Sequence, residues 1–231
     1  MGIVAAIGGF GKKIDDVRNI CERIVRLSKK NKPSLLYIPT ANDDHVEYTK
    51  YMTDFFEDNY DCDVSVLRLL GKKDGIEEID RKIMEADIVF VEGGNLIKLL
   101  DTWRENKIDE KLRRAYLDGT IMSGVSAGAI CWFEYAYSDS VENDKYDFVE
   151  GLGIVKGSIC PHYNNEERKR RFNREIREKK NITEPIYMIE DNNAVVIDDY
   201  GVIFLAEHEN TRCGVHMIRQ KEREESRERE I

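Results

Sequence analysis

The sequence lacks the features that mark membrane, secreted and nucleic-acid-binding proteins. No apolar run approaches the length of a membrane span, and residues 1–7 have neither the basic segment nor the apolar stretch of a secretion signal. Positive charge is in deficit: 36 lysines and arginines face 45 aspartates and glutamates, and the net charge of −9 repels phosphate backbones. We therefore expect a cytoplasmic protein without a membrane or nucleic-acid partner, whose ligand is a small molecule or a short peptide.

Metal and nucleotide motifs are also missing. The 5 cysteines are scattered, odd in number and without C-x-x-C spacing, so neither a disulfide framework nor a zinc site is expected. Gly8-Gly9-Phe10-Gly11 is not G-x-G-x-x-G and lacks the lysine and hydroxyl of a Walker loop. A non-catalytic module that holds a nucleotide or an acidic metabolite on its glycine turns stays open as the alternative function.

The first half of the chain alternates β-branched segments with amphipathic ones. This alternation predicts a three-layer α/β fold with a mostly parallel sheet and helices on both faces. The predicted strands are 3–7, 34–38, 63–67, 88–91 and 120–122, and the predicted helices are 14–27, 46–60, 76–85 and 96–103. One domain over 1–219 is expected, in a monomer or a homodimer.

The second half is predicted to differ in character. Residues 138–150 are acidic and without periodicity, which predicts a loop, and a charged helix is predicted over 164–180. Short, partly antiparallel strands are predicted at 186–189, 194–197, 202–205 and 215–218, with a hairpin turn at 199–201. Residues 220–231 form a charged tail with almost no apolar content.

The strongest functional signal is Gly124-Val125-Ser126-Ala127-Gly128, which lies between a predicted strand and a predicted helix at 129–133. A strand-to-helix elbow of this kind exposes a serine hydroxyl as a nucleophile. The amide of Ala127 and the start of the helix would then face a developing oxyanion. The amide of Gly94, in Glu92-Gly93-Gly94-Asn95, is expected to complete the oxyanion hole, although this turn could instead cradle a phosphate.

A nucleophilic serine needs a base, and the base needs an orienting acid. His162 is the best-placed base because it follows an apolar segment and Pro161; His45, His208 and His216 are weaker alternatives. Asp139 is the first choice for the acid. Glu190 and Asp191 compete with it, since both close the strand predicted at 186–189 and ligands bind at strand carboxyl ends.

Three motifs in order, Gly93-Gly94-Asn95, Gly124 to Ala129 and Pro161-His162-Tyr163, resemble the serine peptidase family of dipeptidase E (aspartyl dipeptidase) and cyanophycinase. The resemblance implies a flavodoxin-like sheet related to class I glutamine amidotransferases. It implies Ser126 as nucleophile, His162 as base, either Asp139 or Glu190 as acid, and no cofactor.

The same resemblance implies short peptides as substrates, possibly with aspartyl or isoaspartyl linkages. An arginine would suit a substrate carboxylate, because its planar fork donates two hydrogen bonds. Asn95, Arg170 and Arg171 are therefore expected to bind substrate. An esterase of the α/β-hydrolase type shares the chain order of serine, acid and histidine, but too few residues separate Ser126 from His162 for that fold.

Overall fold

Strands and helices alternate through the first half of the chain, as the hydrophobic pattern predicts. The computed structural model of the protein describes residues 2–71, 73–141, 145–178, 182–208 and 212–219. The elements of this half are β1 (Val4–Ile7), α1 (Arg18–Arg26), β2 (Ser34–Ile38), α2 (Val46–Tyr60), β3 (Asp63–Val66), α3 (Ile76–Glu85), β4 (Ile88–Val91), α4 (Leu96–Glu105), α5 (Ile108–Leu117) and β5 (Ile121–Val125). The tail predicted at 220–231 lies outside the described residues.

The second half begins with a single helical turn and is then rich in strands. Its elements are α6 (Ala127–Ile130), β6 (Phe133–Val141), β7 (Lys145–Glu150), β8 (Val155–Cys160), α7 (Glu166–Glu178), β9 (Ile186–Ile189), β10 (Asn193–Asp198), β11 (Gly201–Ala206) and β12 (Val215–Ile218). The helix predicted at 129–133 is therefore wrong in extent, because Phe133 already belongs to a strand.

The main sheet has seven strands in the order β11-β10-β1-β5-β4-β2-β3. The five strands from β1 to β3 in this order pair in parallel, whereas β10 joins β1, and β11 joins β10, in antiparallel fashion. The amides of Tyr200 and Gly201 donate to Asp198 Oδ1 at 2.8 and 3.0 Å, which closes the predicted hairpin turn. The mostly parallel sheet with late antiparallel strands is confirmed.

Helices cover both faces of this sheet. On one face, α1 and α2 bury Ile24 and Phe56. On the other, α3, α4 and α5 bury side chains such as Ile83, Leu99 and Leu112. Because apolar side chains leave water on both faces, the parallel strands carry almost uninterrupted apolar sequences. None of the helices in the described part of the chain is long and apolar enough to span a bilayer.

A second sheet, with the order β12-β9-β8-β6-β7, was not predicted. The loop expected at 138–150 is wrong: this stretch contains the end of β6 and all of β7, which pair in antiparallel fashion. Exposed acidic residues obscured the alternation of strand side chains. On the inner side, Tyr137 and Phe148 pack against Phe172 of α7, with ring centroids 5.0 and 5.8 Å from it.

The contact between β4 and the start of α6 leaves no room for a side chain at Gly128. A Cβ there would overlap the Val91 carbonyl group and lie 2.6 Å from the Glu92 carbonyl oxygen. We expect Gly128→Ala to lower the free energy of unfolding by about 3 kcal/mol, because backbone must move to admit the methyl group. Urea denaturation measures this loss.

Gly75→Ala is the matched control, because a Cβ at Gly75 meets nothing within 4 Å. Gly75 is the N-cap residue of α3, where replacement by alanine is expected to lower the free energy of unfolding by less than about 1 kcal/mol. Equal stability of the two variants would contradict the tight contact between β4 and α6.

Candidate active site

Ser126 lies on a sharp turn between β5 and α6. Its φ of 52° and ψ of −120° are values that residues other than glycine rarely adopt. The Ser126 amide donates to the Ile7 carbonyl oxygen at 3.0 Å, which ties the turn to β1. Small neighbours are required, since a Cβ on Gly124 would overlap the Gly128 carbonyl group. The local sequence thus places a hydroxyl on a strained turn at the carboxyl edge of the main sheet.

His162 reaches this hydroxyl from the segment after β8. Its Nε2 lies 2.8 Å from Ser126 Oγ. The residue itself has a φ of 50°, and its amide donates to the Gly8 carbonyl oxygen at 3.2 Å. The backbone therefore fixes the imidazole against the strained serine, and the two residues expected to act together are in direct contact.

Asp191 is the third member of this hydrogen-bonded chain. Its Oδ1 lies 2.6 Å from His162 Nδ1, and its Oδ2 accepts from Asn164 Nδ2 at 3.1 Å. Burial raises the pKa of the Asp191 carboxyl, but the hydrogen bond and charge interaction with His162, together with the hydrogen bond from Asn164, bring the net pKa below its usual range. An ionised Asp191 favours the tautomer with the proton on Nδ1, which leaves Nε2 free to accept the serine proton.

Asp139, the first choice from the sequence, does not contact His162. It lies on β6, and its Oδ2 accepts from Arg168 Nη2 at 2.7 Å. The Arg168 side chain is 6% exposed and also donates to the Tyr137 carbonyl oxygen at 3.3 Å. Asp139 therefore neutralises a buried guanidinium between β6 and α7, and the prediction that it orients His162 is corrected to Asp191.

Glu190 is also directed away from the histidine. Its Oε1 lies 3.6 Å from His216 Nε2 on β12, and its amide donates to the Gly214 carbonyl oxygen at 2.9 Å. Residues 191 and 192 form a turn after β9, in which the Asp191 amide donates to Asn164 Oδ1 at 2.9 Å and the Asp191 side chain contacts His162. Of the two carboxylates that the sequence offers here, Asp191 contacts His162 and Glu190 does not.

The glycines after β1 make room for the histidine and the aspartate. A Cβ on Gly9 would overlap both the imidazole of His162 and the carboxylate of Asp191. The amide of Asn192 also donates to the Gly9 carbonyl oxygen at 2.9 Å. The close approach of Gly9 to these two side chains explains why glycine is needed here, and no phosphate ligand has to be invoked.

The second glycine turn brings Gly93, rather than Gly94, against the serine. A Cβ on Gly93 would lie 3.3 Å from Ser126 Cβ, whereas Gly94, at a φ of 141°, backs onto the Ala41 carbonyl group. Ala127 is the first residue of α6, so its amide has no acceptor within the helix. Gly93 therefore contacts Ser126, whereas a Cβ on Gly94, the donor predicted from the sequence, would meet Ala41 and Asn42.

The residues expected to bind substrate have other contacts. Asn95 is the N-cap of α4, and its Oδ1 accepts from the Lys98 amide at 2.9 Å. Arg171 pairs with Glu167 at 2.6 Å, and Arg170 is exposed on α7. None of the three belongs to the described lining of the cavity beside Ser126. A substrate role for them has no support from this geometry.

A cavity of about 250 Å³ opens beside Ser126 and His162. Its described lining is Gly9, Phe10, Asn42, Tyr48, Met52, Glu92, Gly93, Val125, Ser126 and His162. Pockets for drug-sized ligands hold roughly 300–1,000 Å³, so this one suits a single residue or a short ligand. Among the described residues, no group of three or more histidine, cysteine, aspartate or glutamate side chains is arranged as metal ligands.

Sequence reasoning underrated two side chains that the structure brings to this site. The sequence alone ranks Asp191 behind Asp139 as the acid and predicts only a turn at Glu92. Their shared signal is position: Glu92 follows a strand of the predicted parallel sheet, Asp191 follows the strand predicted at 186–189, and both therefore lie near carboxyl ends of strands.

An α/β fold that carries a strained serine, a histidine and an aspartate in one hydrogen-bonded chain defines a hydrolytic enzyme. The model of peptidase family S51 matches residues 4–205. The chain belongs to this family, and it is a peptidase.

The relatives agree with this assignment. The chain is 36% identical over 163 residues to the uncharacterized peptidase YgaJ of Bacillus subtilis, an alignment that covers 71% of this chain and 68% of YgaJ. A crystal structure of a peptidase from an acI-B1 Actinobacterium is similar at a TM-score of 0.73 and 17% identity, over 95% of this chain and 91% of that one. A putative peptidase E protein from Listeria monocytogenes is similar at a TM-score of 0.68 and 21% identity, over 89% and 98%. The two solved structures agree with the flavodoxin-like fold.

Proposed function

We propose that the protein is a serine peptidase that hydrolyses short peptides through Ser126, His162 and Asp191. The observation that carries this proposal is the continuous contact from Ser126 Oγ to His162 Nε2 at 2.8 Å and from His162 Nδ1 to Asp191 Oδ1 at 2.6 Å. A serine hydroxyl is a weak nucleophile unless a base accepts its proton as it attacks.

In the proposed reaction Ser126 Oγ attacks the peptide carbonyl carbon while His162 Nε2 takes the hydroxyl proton. Asp191 stabilises the imidazolium that forms, and His162 then gives this proton to the leaving amine. Water hydrolyses the resulting acyl-enzyme by the same proton transfers in reverse. The amides of Gly93 and Ala127 are the proposed donors to the oxyanion, aided by the positive end of α6.

The small cavity supports short substrates rather than folded proteins. An aspartyl or isoaspartyl preference would call for a cation near the bound acyl residue. The described lining of the cavity contains no arginine or lysine. We therefore propose hydrolysis of short peptides without a preference for an acidic first residue.

A serine-directed fluorophosphonate tests this chemistry directly. We expect it to label Ser126 stoichiometrically, with no effect of EDTA, because the activated hydroxyl needs only its histidine. Mass spectrometry of the digested protein locates the adduct, and His162→Ala is expected to slow the labelling by at least about a hundredfold.

The competing hypothesis is a non-catalytic module that binds a nucleotide or an acidic metabolite. It predicts no adduct at Ser126 together with tight nucleotide binding. An unmodified Ser126 after prolonged exposure to the fluorophosphonate would contradict the serine peptidase proposal.

A further inference from the structure

Glu92 is a buried carboxylate that lines the cavity and that the proposed reaction does not use. It follows β4 directly, and its side chain is only 3% exposed. Its two oxygens accept from the Tyr37 hydroxyl and from Asn42 Nδ2. Both donors are neutral, so neither of them supplies a counter-ion for the carboxylate.

No described lysine, arginine or histidine lies within ion-pair distance of Glu92. An isolated buried carboxylate is costly, because burial removes the water that stabilises its charge. Burial accordingly raises the pKa of the Glu92 carboxyl to about 7, although the hydrogen bonds from Tyr37 and Asn42 oppose this rise. Acceptor capacity remains, since an ionised carboxylate has about four acceptor sites and two are used.

The position of Glu92 relative to the serine is fixed by the sheet. Val91 of β4 is paired with Gly124 of β5, two residues before Ser126. Gly93, the next residue after Glu92, lies against Ser126 Cβ. Glu92 and Ser126 therefore line the same small cavity, and each lies directly after one of two adjacent strands.

From this juxtaposition we propose that Glu92 binds a protonated amino group carried by the acyl residue of the substrate, so that the enzyme selects peptides with a cationic first residue. The inference rests on the proposed function, because it places the substrate carbonyl at Ser126. In a peptide with a free N-terminus, the α-ammonium group is only two bonds from the carbonyl carbon that the serine attacks. A charge-assisted hydrogen bond to this group supplies the counter-ion that Glu92 lacks.

Two amines could satisfy this chemistry: the α-amino group of any free N-terminus, and the side-chain amine of a first-residue lysine. The compact cavity favours the α-amino group. An N-terminal aspartate would bring a second carboxylate towards Glu92, and like charges in a confined cavity repel each other. The inference therefore predicts discrimination against the aspartyl peptides that the sequence resemblance suggested.

Binding of small amides measures this recognition separately from peptide hydrolysis. We expect alaninamide to bind the wild-type protein at pH 7.5 in isothermal titration, whereas N-acetylalaninamide, which lacks the charge, binds at least about tenfold more weakly. Nα-acetyl-lysinamide, which keeps only the side-chain amine, separates the two sources: binding as tight as that of alaninamide assigns the site to the side chain. Equal affinity for alaninamide and N-acetylalaninamide, or no binding of any of the three, would overturn the proposal.

The variant Glu92→Gln removes the charge and keeps the shape. We expect it to weaken alaninamide binding by about 10- to 100-fold. Glu47→Gln, which removes the same charge from an exposed position at the start of α2, should leave the affinity unchanged. If Glu92→Gln binds alaninamide as the wild type does, the proposal is wrong.

A pH series on the wild-type protein is independent of how well the variant folds. The titratable groups that face Glu92 are Tyr37 from β2, Asp44 from the turn before α2, Tyr48 from α2, and His162 across the cavity. Protonation of Glu92 below pH 7 removes its charge, so alaninamide binding should weaken between pH 7.5 and pH 5.5 more than it does in Glu92→Gln, which retains the other four groups. Equal pH dependence in both proteins would contradict the assignment to Glu92.

The outcomes separate this inference from the proposed function. Fluorophosphonate labelling of Ser126 in a protein that does not bind alaninamide would support the serine peptidase and contradict the amine site. Alaninamide binding that depends on Glu92, without any labelling of Ser126, would support the amine site and contradict the serine peptidase.

Discussion

Replacing Ser126 with alanine is expected to abolish peptide hydrolysis, with a loss in kcat of about a million-fold. The reason is geometric as well as chemical: the strained turn offers a single oxygen to the imidazole at 2.8 Å, and alanine leaves His162 with nothing to deprotonate. Turnover of a panel of dipeptides, followed by release of free amino acid, measures the loss.

The fold should survive this change. Alanine is small, and the turn is held by the backbone bond to Ile7 rather than by the hydroxyl. Ser65→Ala, on the edge strand β3, is a matched control that removes a hydroxyl far from the cavity and should retain full activity. Activity of Ser126→Ala within about tenfold of the wild type would exclude Ser126 as the nucleophile.

Replacing Asp191 with asparagine is expected to reduce kcat by about ten-thousand-fold. Asparagine keeps the shape of the side chain but loses the negative charge that orients His162 and stabilises its protonated form. The ionised state of Asp191 at neutral pH follows from its lowered pKa, so this charge is present under assay conditions. Steady-state kinetics, with kcat and KM determined separately, should place most of the loss in kcat.

Asp139→Asn provides the control, because it tests the carboxylate that the sequence favoured. Its partner Arg168 is buried, so this variant should lose stability while kcat per folded molecule changes by less than about tenfold. A larger drop in kcat for Asp139→Asn than for Asp191→Asn would reverse the assignment of the orienting acid.

The main sheet was predictable because burial on both faces makes its strands uniformly apolar. Residues 34–38 and 88–91 of this sheet were predicted with the bounds that the structure has. The elbow was predictable for a related reason, since only small residues permit the approach of β4 to α6 at Gly128. Both signals are local, because they depend on the size and polarity of residues that are neighbours in the sequence.

The second sheet and the acid depend on contacts that are distant in sequence. The buried face of β6 and β7 is the one on which Tyr137 and Phe148 pack against Phe172. The local sequence pattern does not predict this contact. Likewise, Asp191 differs from Glu190 only in the direction of its side chain. That direction is set by the turn after β9, where the Asp191 amide donates to Asn164 Oδ1 and the Asn192 amide donates to the Gly9 carbonyl oxygen. Local propensity does not specify these contacts.

The bonds from β1 to the site have a consequence for truncated forms of the chain. Gly8 accepts from the His162 amide and donates to the Asn193 carbonyl oxygen, so segments that lie far apart in the sequence complete the site. Contacts of such sequence separation form late and slowly. We therefore expect a chain truncated before residue 190 to show no peptide hydrolysis, because it lacks the segment that carries Asp191 and Asn193.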